Sequence, residues 1–66
     1  MNRWQNLRTN VFRASQVEMA RIAGVSQATV SRWEGGTQTP LSTALERIRA
    51  YARRRSIPWD DAWLFE

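Results

Sequence analysis

The segment GVSQATVSRWEGG, residues 24–36, decides how this chain folds. Gly24 suits the left-handed residue that closes a helix. Ser26 is a residue type that caps the start of a new one. A short helix follows and stops at Gly35 and Gly36. At about 100° per residue, Val30 and Trp33 fall on one side of that helix, in line with Val25 just ahead of them. Ala28, Ser31 and Arg32 fall on the opposite side, with Gln27 on the flank. The segment is therefore a helix stop, a helix start, a two-faced helix and a second stop.

Helical signals continue on both sides of it. Upstream, Ser15-Gln16-Val17-Glu18 is a capping box: the Ser15 hydroxyl can accept from the Glu18 N–H while the Glu18 carboxylate reaches back. The helix it opens carries Met19, Ala20 and Ala23 on one face and closes at Gly24. Before it, Trp4, Leu7 and Val11 recur at helical spacing, with Asn2 as a cap. Downstream, Thr37 to Pro40 is a polar loop that Pro40 keeps from continuing the helix. Leu41, Leu45, Ile48 and Ala52 then form a long apolar stripe flanked by Ala44 and Tyr51. Pro58 followed by Asp60 and Asp61 predicts the first turn of a last short helix. Two adjacent carboxylates at a helix start point apart, so Asp60 and Asp61 read as capping groups and not as a metal pair. There is no strand alternation, repeat or domain-dividing linker.

Two helices separated by Gly24-Val25-Ser26 alone cannot lie parallel; so short a turn forces the steep crossing of a helix-turn-helix. That geometry needs a small residue where the backbones meet (Ala20), an unusual turn conformation (Gly24) and a stiff apolar residue packing back (Val30). All three are present at the required spacing. At these residues the chain resembles the Xre/Cro-type helix-turn-helix repressors, most specifically over SQVEMARIAGVSQATVSRWEGG, residues 15–36. A looser likeness continues through Pro40 and the following helix, and SIPWDDAWLF, residues 56–65, is similar to the short fifth helix that often closes such domains. The resemblance implies an all-α, compact five-helix, lambda-repressor-like domain over residues 1–66, with the helix-turn-helix at 16–35. It also implies that an arginine of the first helix pairs with Glu34; Arg8 and Arg13 are both candidates. The link Val11-Phe12-Arg13-Ala14 between the first helix and the Ser15 cap is shorter than the family pattern.

Composition narrows the chemistry. The 66 residues include ten arginines and no lysine, histidine or cysteine, for a net charge of +4. Without cysteine there is neither a disulfide framework nor a thiolate metal site. Without histidine the commonest general base and metal ligand are missing. No nucleophile–base or carboxylate pair is visible, so no enzymatic activity and no cofactor are expected. No apolar run approaches the roughly 20 residues that span a bilayer, and no signal-peptide core precedes the first helix. A cytoplasmic, nucleoid-associated protein is expected. The positive charge favours an anionic partner, with nucleic acid first.

The outward face then acquires a reading. The major groove of B-DNA admits one helix, and small residues such as Ala28 and Ser31 let its backbone approach the base edges. Gln27 can present an amide to adenine, Arg32 can fork onto guanine N7 and O6, and the Ala28 methyl can meet a thymine methyl. The expected base contacts are therefore Gln27, Ala28, Ser31 and Arg32. The resemblance implies phosphate contacts at Gln16, Ser26 and Thr29, and at Thr37 and Thr39 in the loop. Arg53, Arg54 and Arg55 read as the charge complement of a helix C-terminus. The expected function is sequence-specific binding of double-stranded DNA in transcription regulation, most simply by a repressor acting as a homodimer. Trp59 is expected to pack inward, while Leu64 and Phe65 offer a pairing surface. The alternative is a protein-interaction module such as an antitoxin or anti-repressor.

Overall fold

Four helical elements, joined by short turns, make up what a computed structural model describes of the chain, residues 2–60. The first is α1, Arg3–Asn6, which runs directly into a π-helical turn, Leu7–Val11. It is followed by α2, Gln16–Ala23, α3, Gln27–Gly35, and α4, Ser42–Arg54. No strand occurs among the described residues. The all-α architecture is as expected, but the described residues hold four helices and not five.

The π turn answers the short link after the first helix. The Phe12 N–H reaches the Leu7 carbonyl at 2.9 Å, and Ala14 N–H reaches the Arg8 carbonyl at 2.9 Å. Thr9 donates its hydroxyl to the Gln5 carbonyl at 2.8 Å, the kind of back-bond that loosens a helical turn. The widened turn releases the chain at Phe12, and Arg13 takes a left-handed conformation (φ 53°) that delivers it to the Ser15 cap. There the capping box forms in both directions, with Ser15 accepting from the Glu18 N–H and Glu18 accepting from the Ser15 N–H, each at 3.1 Å.

Three helices end in the same way. Gly24 (φ 72°) and Gly36 (φ 80°) take the left-handed turn, and the next N–H returns to the helix: Val25 to the Ala20 carbonyl, Thr37 to the Arg32 carbonyl. At the end of α4 the left-handed residue is Ser56 (φ 54°), with Ile57 N–H on the Ala52 carbonyl at 2.9 Å and Ser56 N–H on the Arg53 carbonyl at 3.2 Å. This double closure is the Schellman motif, here built on a serine. It explains why the predicted last helix does not begin at Pro58. The motif turns the chain back, and Pro58 holds Ile57 extended, so residues 57–60 are not helical. Trp59 folds inward and stacks on Phe12, ring centroids 6.3 Å apart, while Phe12 meets Tyr51 edge-on at 5.3 Å. The expectations for Leu64 and Phe65 lie outside the described residues.

The core joins Leu7, Met19, Ala20, Ala23, Val30, Trp33, Ala44 and Ile48, with Ala52 also buried. Alanines on both α2 and α4 let those helices pack closely. The stripe of α4 differs from expectation at its start. Leu41 is the N-cap, in extended conformation, so it leaves the helical register and stands 73 % exposed while Ala44 turns inward. Leu7 is buried and Trp4 and Val11 pack beside it, as the spacing predicts.

Asn2 does more than cap α1. Its Oδ1 accepts from Gln5 N–H at 3.0 Å, while its Nδ2 donates to the carbonyls of Trp33 (2.8 Å) and Glu34 (2.9 Å). One side chain thus satisfies the start of α1 and the end of α3. Asn2→Ala should cost about 2 kcal/mol, the sum of a cap and its extra bonds. Asn2→Asp keeps the cap but loses both donors and places a negative charge on two carbonyls, so it should be at least as damaging. Urea unfolding of both variants checks this; an Asp variant as stable as wild type would remove the link to α3.

Candidate nucleic-acid interface

The site is built on α3. Ser26 caps it, accepting from Thr29 N–H at 3.1 Å, and the two hydroxyls lie 3.0 Å apart. Val30 and Trp33 are buried at 1 % and 2 % exposure. Gln27, Ala28, Ser31 and Arg32 are all exposed. The four residues expected to touch bases therefore share the solvent side of one nine-residue helix.

Its far end is held by a charged cluster. Arg8 binds the Glu34 carboxylate with two donors, Nε to Oε2 at 2.7 Å and Nη2 to Oε1 at 3.0 Å, and gives Nη1 to the Ala14 carbonyl at 3.0 Å. Of the two arginine candidates, Arg8 is the partner; Arg13 is exposed on the turn. Gln16 adds a third donor to Glu34, Nε2 to Oε1 at 3.2 Å, and its own Oε1 accepts from Gln27 at 3.5 Å. A chain of polar contacts thus runs from the first helix through Glu34 and Gln16 to the edge of the exposed face. The fork geometry on a carboxylate is what arginine provides and lysine cannot.

Gln16 is half-buried at the start of α2, and Ser26 is exposed at the start of α3. Thr29 is half-buried, turned toward the seam with α4. Thr37 and Thr39 are exposed in the loop, where Thr37 returns both its N–H (3.1 Å) and its hydroxyl (3.4 Å) to the Arg32 carbonyl. Arg55 stacks over Tyr51 at 5.2 Å, while Arg53 and Arg54 occupy the last turn of α4.

A helix-turn-helix family model matches residues 15–55, well over half of the chain. The chain belongs to the helix-turn-helix family, of the Xre/Cro type. Its role is that of a DNA-binding regulator. No curated protein and no solved structure matches it. Among the described residues no helix is long and apolar enough to cross a membrane.

Sequence reading missed two features of this helix-turn-helix. Asn2 looks like an ordinary cap, and nothing local announces its reach across to residues 33 and 34. Gln16, expected at a phosphate, also bridges Glu34 and Gln27; a glutamine at the first turn of α2 carries no signal of that second role.

The cluster has a pH signature. The Arg8 hydrogen bonds hold the Glu34 carboxyl below its ordinary value of 4.5, and the Gln16 bond adds to this while burial opposes it. The ionised form is thus favoured by folding. That contribution is fully present above the ordinary value and is lost as pH falls from there through the lowered folded value. Glu18, held down by its bonds to Ser15, acts in the same direction. Glu34→Gln should cost about 1–3 kcal/mol near neutrality, the range for losing hydrogen bonds to a charged, partly buried group. It should also make the loss of stability on acidification shallower, leaving the Glu18 part. Urea midpoints from neutral to acid pH measure this; an unchanged pH slope would mean that Glu34 is not the linked group.

Proposed function

We propose that this regulator recognises a specific double-stranded DNA sequence by laying α3 in the major groove. The observation that carries the reading is the segregation of α3: Val30 and Trp33 are sealed in the core while Gln27, Ala28, Ser31 and Arg32 face solvent together. Ala28 and Ser31 are small enough for the helix to approach the base edges. Gln27 offers an amide to adenine, Arg32 a fork to guanine, and Ala28 a methyl to thymine. Gln16, Ser26, Thr29 and Thr39 contact phosphates along the flanks, joined by Thr37 once it releases the Arg32 carbonyl. Helix starts at α2 and α3 aim backbone N–H groups toward such phosphates.

The working form is a homodimer on a two-fold operator, because one module this small seldom makes enough base contacts for specific affinity. The C-terminal aromatic segment, with Leu64 and Phe65, supplies the pairing surface. Bound across a promoter, such a dimer represses by occlusion. The protein acts in the cytoplasm, at the nucleoid.

Arg32→Ala tests the reading. It should cost about 1–3 kcal/mol per half-site on the preferred sequence and relax discrimination at one base pair of each half-site. Competition between preferred and random duplex measures it. Unchanged discrimination would mean that Arg32 does not read a base.

A further inference from the structure

A groove runs beside α4, against the helix-turn-helix turn and α3 at one end and against α2 at the other; Thr29, a proposed phosphate contact, lines it, but none of the four base-reading residues of α3 does. It consists of two hollows of about 300 Å³ each that share Arg47. Val25, Leu41 and Ala44 line the first; Ile22, Ala50 and Arg54 line the second. Volumes at this small end suit the side chains of a peptide better than a cofactor. Leu41, at one end, is the most exposed large apolar residue among those described.

The charged residues of the lining are both arginine, beside the polar Thr29, Gln38 and Thr43. Arg47 and Arg54 stand seven residues apart on one side of α4, about 10 Å along its axis. Neither makes a hydrogen bond or ion pair among the described residues. Arg47 lies against the turn itself: a Cβ on Gly24 would come within 2.5 Å of its Nε. No acidic residue lines either hollow. An apolar floor under unpaired cations calls for an occupant with apolar side chains bracketed by carboxylates.

The chain carries one. Residues 61–66 read DAWLFE: Trp63, Leu64 and Phe65 between Asp61 and Glu66. In an extended segment Asp61 and Glu66 stand about 17 Å apart, against about 10 Å between the Arg47 and Arg54 backbones, a difference that the long arginine side chains span by splaying outward. We infer that this groove is the docking site for residues 61–66 of a second copy, with apolar side chains in the hollows and Asp61 and Glu66 meeting Arg47 and Arg54. Exchange of two such segments gives a self-complementary, two-fold contact, and it names the surface that accepts the pairing segment of the proposed homodimer, on which it rests.

Charge reversal tests it in the full chain. Three variants are needed: Arg47→Glu with Arg54→Glu, Asp61→Arg with Glu66→Arg, and all four together. Circular dichroism verifies folding, and sedimentation equilibrium measures self-association. Each pair of substitutions should weaken association at least about tenfold, and the fourfold variant should recover to within about threefold of wild type. A groove variant that associates like wild type, or a fourfold variant as weak as its parents, overturns the inference. A wild type that stays monomeric overturns it too. If reversal then lowers the melting temperature and the fourfold variant restores it, the segment lies on its own chain's groove. Duplex binding is measured separately on the same variants. A folded monomer that still selects its half-site keeps the DNA reading and rejects only the dimer.

Discussion

The orientation of α3 depends on one carboxylate. Glu34 takes two donors from Arg8 and one from Gln16, and the adjoining carbonyls of residues 33 and 34 take two more from Asn2. These donors come from two other helical elements and converge on the last turn of a nine-residue helix. A helix that short is not stable alone in water. It holds its shape because Ser26 caps its start and the Gly36 turn closes its end, while the Glu34 cluster ties its last turn to neighbouring elements.

Apolar packing alone would fix this geometry weakly. Of the nine buried apolar residues among those described, four are alanines, at 20, 23, 44 and 52, which permit close approach but grip little. Leu7, Met19, Val30, Trp33 and Ile48 provide the larger buried side chains. Among the described residues the indole N–H of Trp33 is buried without a hydrogen-bond partner. That cost is of the kind a helix accepts when its ring is needed as core filling against Trp4, 6.3 Å away. The polar clamp complements this light core by fixing direction, which groove recognition needs more than it needs depth of burial.

The helix-turn-helix was legible because its signals are local. Ser15 with Glu18, Gly24, Ser26 and Gly36 each act within a few residues, and their bonds form as the sequence implies. The two-faced pattern of α3 was legible for the same reason. What failed, or was left open, depended on distant partners or on backbone choices that several residue types tolerate. The π turn at Leu7–Val11 is not written in apolar spacing, yet it lets Arg8, and not Arg13, reach Glu34. Ser56 in a left-handed turn is uncommon for a non-glycine residue, so Pro58 looked like the start of a helix when it follows a reversal. Leu41 belongs to the stripe by spacing, but its position as N-cap takes it out of the helix that defines that stripe.

The most direct measurement is selection of bound sequences from a random duplex pool by the wild-type chain. An account in which α3 reads base edges predicts one enriched motif with two-fold symmetry, its half-sites centred about 34 Å apart, one helical turn of DNA. A pool that stays random while the protein binds it through charge alone would contradict the account, because the exposed face of α3 would then carry no sequence information.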